Sequence, residues 1–296
     1  MVVTFGLTPA IQRVMVFGEL TLDKVNRAVE THVCPAGKAV NAARAARIWL
    51  GESGGRVCVV GPVAGEGGRW CVERMRESGV GWDGVAVEDE ERVCVTVIDR
   101  AAGTVTELVQ EARTPSADEV AELLLRLELL AAPGGVLACC GTVAGADAGV
   151  YARAVRVWGE RGGACAVIDG KGEVLLRALG EKGVGVRVAK INRAELEQTV
   201  GIGGGIEGLH AAGATHVVVT QGGEKVVASN GTDRMFFPPE RVRVVNTTGC
   251  GDCLAGVLAG ELARGGDFFA AVATAVRASA LSAENILPAV FEREKM

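Results

Sequence analysis

The chain has 296 residues, of which 49% are hydrophobic and 23% charged, with a mean hydropathy of +0.27; this is the profile of an ordered globular protein able to bury a substantial core. A net charge of -5 without any run of Lys or Arg argues against a nucleic-acid binder, because affinity for a phosphate backbone needs a basic face. The most continuous apolar stretch, residues 268 to 283, is broken by Arg277 and too short for a bilayer, and the N-terminus lacks a charged segment and cleavage signature, so no membrane contact and a cytoplasmic location are expected.

In chain order, residues 12 to 33 read as hairpin-like strands with no helix between them. A helix is expected over about 38 to 50, a buried strand over 57 to 61 and a second helix over about 68 to 78. Residues 84 to 110 are hairpin-like again, with V-C-V-T-V-I-D and T-V-T-E-L-V on either side of Ala101-Ala102-Gly103; two such segments usually make a small extra sheet. Ser116 and Glu119 have capping-box spacing ahead of a helix whose Val120, Leu123, Leu124, Leu127 and Leu130 share one face.

Beyond about residue 133, expected strands at 135 to 141, 164 to 169, 186 to 191 and 216 to 221 alternate with helices at 148 to 161, 173 to 181, 193 to 200 and 206 to 213. Such alternation means βαβ units and a mainly parallel sheet. Gly203 to Gly208 matches G-x-G-x-x-G but follows a helical segment, which removes the dinucleotide reading and leaves a loop; no Walker A pattern occurs. Val242 to Val245 is strand-like, and helical spacing resumes at Gly251 with Leu254, Val257, Leu258 and Leu262.

The turn before that helix, N-T-T-G-C-G-D-C-L-A-G from Asn246 to Gly256, contains a C-x-x-C. Zinc would need two further ligands, and His32, His210 and His216 have no such spacing; a thioredoxin-type pair would follow the first strand of its fold. Most of the nine cysteines sit in apolar runs such as V-C-V-V and L-A-C-C-G, where Cys acts as a small hydrophobe. The other reading is a glycine turn at a helix start, whose free N–H groups and dipole suit a phosphoryl group. Asp252 in the first helical turn is then either a dipole-matching charge or a general base.

Asn246 to Gly256 resembles the D/N-T-T-G-A-G-D signature of the PfkB (ribokinase-like) sugar kinases, with Cys250 in the Ala position. The likeness covers nearly the whole chain: A-G-K-A-V-N (36 to 41) is similar to G-G-K-G-x-N, and K-I-N-R-A-E-L (190 to 196) to K-P-N-x-x-E-L. T-P-A-I-Q (8 to 12) resembles the N-P-A-x-D start of the sugar-phosphate branch, which includes 1-phosphofructokinase and tagatose-6-phosphate kinase; Val25-Asn26-Arg27 and Glu91-Arg92 are similar to that branch too.

The resemblance implies one ribokinase-like α/β domain over 1 to 296, a three-layer α/β/α body with a mainly parallel sheet, and a small β-sheet lid from about 12 to 33 and 84 to 110. It implies Asp252 as catalytic base with Gly249, Cys250 and Gly251 as anion hole, and ATP with Mg²⁺ near Lys190, Asn192, Glu195, Thr220, Gly222, Gly251 and Asn285, Glu195 holding the metal through water. Gln12, Arg27, Gly37, Lys38, Asn41 and Arg92 would face a sugar or sugar phosphate, and two copies would pair through the lid. A second phosphate in the acceptor gives the cationic residues a physical reason, although exposed Lys and Arg are by default solvated charge. Asn192 and Glu195, three apart, equally make an ordinary N-cap with its acid.

Departures concentrate on the acceptor side. Thr8 and Gln12 replace Asn and Asp, and an amide donates as well as accepts and carries no charge. Ala36 and Ala39 replace glycines, which would bring strain if the backbone there needs positive φ. Ala144 and Ile191 stand where prolines are usual, and Lys225 where a glycine is. The first expectation is therefore a sugar-phosphate kinase; the alternatives are a kinase of an unphosphorylated sugar or nucleoside, and a non-catalytic sensor on the same fold.

Overall fold

The computed structural model describes residues 1 to 296 except 144 and 146, so the departure at Ala144 lies outside the described residues. The strands are β1 (Val2–Phe5), β2 (Ala10–Phe17), β3 (Glu30–Ala36), β4 (Val57–Ala64), β5 (Gly81–Val87), β6 (Val93–Asp99), β7 (Thr104–Val109), β8 (Val136–Cys140), β9 (Cys165–Asp169), β10 (Val186–Asn192), β11 (His216–Thr220), β12 (Val226–Ser229) and β13 (Arg234–Phe237). The α-helices are α1 (Lys38–Leu50), α2 (Gly65–Glu77), α3 (Ala117–Leu130), α4 (Val150–Glu160), α5 (Gly172–Gly180), α6 (Arg193–Val200), α7 (Gly205–Ala211), α8 (Cys250–Ala263) and α9 (Phe268–Ser282).

Among the described residues the main sheet runs β13-β12-β11-β10-β9-β8-β1-β4-β5, parallel from β11 to β5, with β12 and β13 antiparallel at one edge. Alternation along each strand feeds two cores. Val57, Val59, Ala138 and Cys140 meet α1, α2, α8 and α9, while Cys58, Val60, Leu137 and Cys139 meet the layer of α3 to α7. The chain leaves β1 toward β4 and β5 and later returns to its other side as β8, so strand order reverses between β1 and β8. A crevice at the C-terminal ends of strands beside such a reversal is where open α/β sheets bind ligands.

Several expectations need correction. Residues 242 to 245 form no strand: Val245 and Asn246 both donate to the Ala283 carbonyl (2.7 and 3.1 Å), so the chain crosses the end of α9 instead of joining a sheet edge. Residues 84 to 87 belong to β5, paired along its length with β4, so the smaller sheet takes only β6 and β7 from that region. Gly205 to Gly208 are helical, within α7. β1, the buried strand on which the order reverses, carries no periodic signal because both its faces are covered, and it was not among the expected strands, nor were β12 and β13.

The smaller sheet, β3-β2-β6-β7, joins β2 to β6 in parallel and otherwise pairs antiparallel. One of its faces buries Val14, Val16 and Ile98 with Ile286 packed against them; the other carries the row Val33, Arg13, Val95 and Leu108. Ala36 and Ala39 keep negative φ, so the strain that their replacement of glycine could have brought is absent; only Gly37 between them needs the left-handed side, at φ 99°. A Cβ on Gly37 would lie 2.6 Å from the Thr8 carbonyl oxygen.

α1 and α8 pack across small residues. A Cβ on Gly256 would fall 2.0 Å from the Ala42 carbonyl oxygen, backbone against backbone. Gly256→Ala is expected to destabilise the protein by about 1–3 kcal/mol or more through overpacking, read as a lower denaturant midpoint; a midpoint equal to wild type would show that the two helices can separate freely.

Candidate active site

Four elements start or end at the crevice. α1 starts there after Gly37, β9 and β10 finish there, and α8 starts there after Gly249, whose φ of 77° lets the chain turn sharply from Asn246 into the helix. Asn246 builds that turn from its own side chain: its Oδ1 accepts from the Thr248 N–H (2.9 Å), and its amide donates to the Ile286 carbonyl (2.7 Å). Gly249 also presses on the chain after α9, since a Cβ there would lie 2.8 Å from Pro288.

Asp252 is buried in the first turn of α8 and accepts a hydrogen bond from Asn41 Nδ2 (2.8 Å), which projects from the first turn of α1. Asp169, at the tip of β9, is a second buried carboxylate. Its Oδ2 meets Lys190 Nζ at 3.0 Å, and its Oδ1, which has no hydrogen-bond partner, lies 3.7 Å from Lys38 Nζ. The β9 and β10 register sets Asp169 beside Lys190, and a Cβ on Gly251 would lie 2.8 Å from Lys190 Nζ. One ammonium therefore sits at the mouth of α8, where the helix leaves its first N–H groups unpaired.

The charges act on one another. Burial, then the neighbouring Asp169 carboxylate, push Asp252 above the ordinary carboxyl range, against the pull of Lys38, Asn41 and Lys190. Lys38 moves up from its ordinary value because Asp169 lies beside it, burial opposing, with Asp252 and Glu195 adding to the rise. The arrangement is a carboxylate raised above its ordinary range by burial, with cations and helix N–H groups next to it. Such a cluster can take a proton from a hydroxyl while holding an anion.

The residues expected to lie along a nucleotide sit at the ends of β10 and β11 and after α9. Asn192 and Glu195 form a full capping box at the start of α6, with Glu195 N donating to Asn192 Oδ1 (2.9 Å) and Asn192 N donating to Glu195 Oε2 (3.4 Å). Asn192 pairs in register with Thr220, after which Gly222 turns at φ 58° with open space around it. Asn285, past the end of α9, donates to the Leu281 carbonyl (3.2 Å). Lys225 is exposed, with its Nζ 5.0 Å from the Phe236 ring centre.

On the acceptor side, Gln12 is buried and donates to Thr96 Oγ1 of β6 (2.8 Å). Arg92 gives three hydrogen bonds to carbonyls, those of Thr8 (2.7 Å), Pro9 (3.0 Å) and Gln110 (3.1 Å). Arg27 is exposed in the connection from β2 to β3. Lys38, Asn41, Lys190, Gly249 to Gly251 and Asp252 are thus drawn into one cluster, whereas Arg92 bonds only to backbone carbonyls and Arg27 lies in the exposed β2 to β3 connection.

Cys250 and Cys253 are free thiols, as are the other seven; burial pushes the Cys250 thiol up to about 11, the wrong direction for a redox or metal-binding thiolate. No group of three or more His, Cys, Asp or Glu fit for a metal occurs among the described residues.

The model of the "pfkB family carbohydrate kinase" matches residues 1–290. The chain belongs to this family. Its structural neighbours include phosphofructokinase-2 from Escherichia coli, crystallised in complex with potassium (TM-score 0.85, 20% identity, 99% of this chain and 96% of that one). A protein described as a possible 1-phosphofructokinase from Thermotoga maritima aligns with TM-score 0.80 and 18% identity over 97% of this chain and 92% of its own. Ribokinase from Thermotoga maritima aligns with TM-score 0.73 and 18% identity over 99% and 97%. The fold is therefore ribokinase-like, a mainly parallel sheet between helices with a smaller separate sheet, and the protein is a carbohydrate kinase, a phosphotransferase.

Two residues of this kinase's site were not expected from its sequence. Asp169 ends a buried strand in V-I-D-G, and its only sequence signal is a carboxylate closing an apolar run. Arg44 is a lone charge within A-A-R-A-A, three residues after Asn41; a charged side chain reads as surface by default, yet Arg44 is buried.

Proposed function

We propose that the protein transfers the γ-phosphoryl group of ATP to a hydroxyl of a sugar phosphate, with Asp252 as general base. The observation that carries this reading is the buried Asp252 at the mouth of α8, held by Asn41 and flanked by Lys38 and Lys190. Asp252 takes the hydroxyl proton, the freed oxygen bonds to the γ-phosphorus, and the bond from that phosphorus to the bridging oxygen of ADP breaks. Lys190 and the N–H groups after Gly249 stabilise the charge on the transferring group.

The nucleotide lies along Asn192, Thr220, Gly222 and Asn285 in this reading. Mg²⁺ suits the residue at the start of α6: Glu195 would hold it through water, as this ion prefers, and it would neutralise phosphate charge. The smaller sheet serves as a lid over the acceptor, and Gln12, braced on Thr96, presents its amide to a sugar hydroxyl.

A panel of phosphorylated and free sugars assayed for ADP release tests the reading, and absence of turnover with every acceptor by folded protein would sink it. Asp252→Asn should lower kcat by about 10²–10⁴-fold, the usual contribution of a positioned base, with ATP affinity nearly unchanged. Because burial raises the Asp252 carboxyl and the ionised form is the active one, kcat/KM should fall as pH drops through a midpoint above the ordinary carboxyl range.

One observation favours a second acceptor class. Arg92 spends three hydrogen bonds on carbonyls and Arg27 is exposed, an arrangement that also fits an unphosphorylated sugar or nucleoside. Arg92→Ala separates the two: a KM increase of about tenfold or more confined to phosphorylated acceptors supports the phosphate reading, since a charge-assisted contact is worth about that much, whereas equal effects on both classes remove Arg92 from phosphate binding.

We also propose a homodimer through the outward face of the lid, where Val33 is 42% and Leu108 56% exposed in one row with Arg13 and Val95. Sedimentation should give a dimer for wild type and a monomer for Leu108→Lys; a monomeric wild type at micromolar concentration rejects this pairing.

A further inference from the structure

Arg44 is buried, and its hydrogen-bond partners are all neutral. Nη1 donates to Asn41 Oδ1 (3.0 Å) and to the Pro288 carbonyl (3.0 Å), Nη2 donates to the Pro35 carbonyl, and the Met75 sulfur lies 4.0 Å away. A buried charge is ordinarily paired with a carboxylate, because desolvation is costly. Each partner here belongs to a different part of the crevice. Asn41 holds Asp252, Pro288 presses against Gly249, and Pro35 lies in β3, where the smaller sheet leaves the body.

The Asn41 amide has two ends of nearly equal size, and only its NH₂ end can donate to Asp252. A guanidinium offers donors and no acceptor, so the atom it touches on Asn41 must be the oxygen, which turns the NH₂ to the carboxylate. Without Arg44 the amide could rotate its oxygen toward Asp252, setting two acceptors against each other. We propose that Arg44 is a positioning residue for the base: it fixes the orientation of Asn41 against Asp252 and ties that amide to the glycine turn and to the root of the smaller sheet.

The assignment of a base role rests on the kinase reading above, but the orientation of Asn41 can be measured without turnover. Besides Arg44, the groups coupled to Asp252 are Asp169 from β9, Lys190 from β10, Lys38 and Asn41 from α1, Cys140 from β8, and Cys250 and Cys253 from its own helix. All of them remain in an Arg44 variant.

The experiment follows the Asp252 carboxyl carbon by ¹³C NMR across pH in protein labelled at aspartate, the resonance being identified by its loss in Asp252→Asn. In Arg44→Met the midpoint should rise by about half a pH unit or more, because the carboxylate loses an oriented donor and a nearby positive charge. In an Asn41→Ala background the same substitution should shift the midpoint less, since residues acting through one another are not additive. Arg44→Lys, which keeps the charge but cannot make all three bonds, should give a smaller shift in the same direction, and it decides the matter if Arg44→Met does not fold.

A midpoint unchanged in the folded variants would make Arg44 a structural brace only and overturn the proposal. So would an equal shift with and without Asn41. If wild type phosphorylates no acceptor while the midpoint moves as expected, the kinase reading fails and the positioning role stands.

Discussion

The crevice depends on how closely two helices approach. α1 and α8 meet where Gly256 faces the Ala42 carbonyl with no room for a methyl group, and this brings the first turn of each helix to the same edge of the sheet. Asn41 and Asp252 are 211 residues apart in the chain, yet their hydrogen bond of 2.8 Å requires that their backbones be set that near. The run of alanines in α1 and the glycines of α8 are what allow it; larger side chains there would stabilise a core but hold the amide away from the carboxylate.

A second constraint is the balance of charge. Two carboxylates, Asp169 and Asp252, are buried near each other, which on its own would favour protonation of one of them. Lys190 and Lys38 offset this from the strand and helix on either side, and the open end of α8 adds its dipole. The result leaves Asp252 above its ordinary range while Asp169 remains bound between two ammonium groups. The two carboxylates are thereby held in different states of charge pairing, Asp169 by the lysines and Asp252 by the Asn41 amide.

The smaller sheet is tied to this centre by polar contacts and packing. Gln12 and Thr96 join β2 to β6, Arg92 holds the Thr8 and Pro9 carbonyls that lead into β2, and Arg44 holds Pro35 in β3. Ile286, next in chain to Asn285, packs against Val14, Val16 and Ile98, so the connection after α9 touches both the smaller sheet and the turn that carries the glycines.

Much of the body was legible from the chain. The alternating strands and helices after residue 133, the capping box at Ser116 and Glu119, and the glycine turn into α8 were set by local periodicity and by the steric freedom of Gly249. The motif from Asn246 to Gly256, with Lys38, Asn41 and Asn192, was enough to indicate the family. β1 escaped because a strand buried on both faces has no alternation to read, and residues 242 to 245 misled because a β-branched run says nothing of whether a partner strand is present. The contacts of Arg92, Asp169 and Arg44 belonged to tertiary structure alone. A charged residue looks the same in sequence whether it meets water, a carbonyl or a lysine, and only the packing of distant segments decides which of these surrounds it.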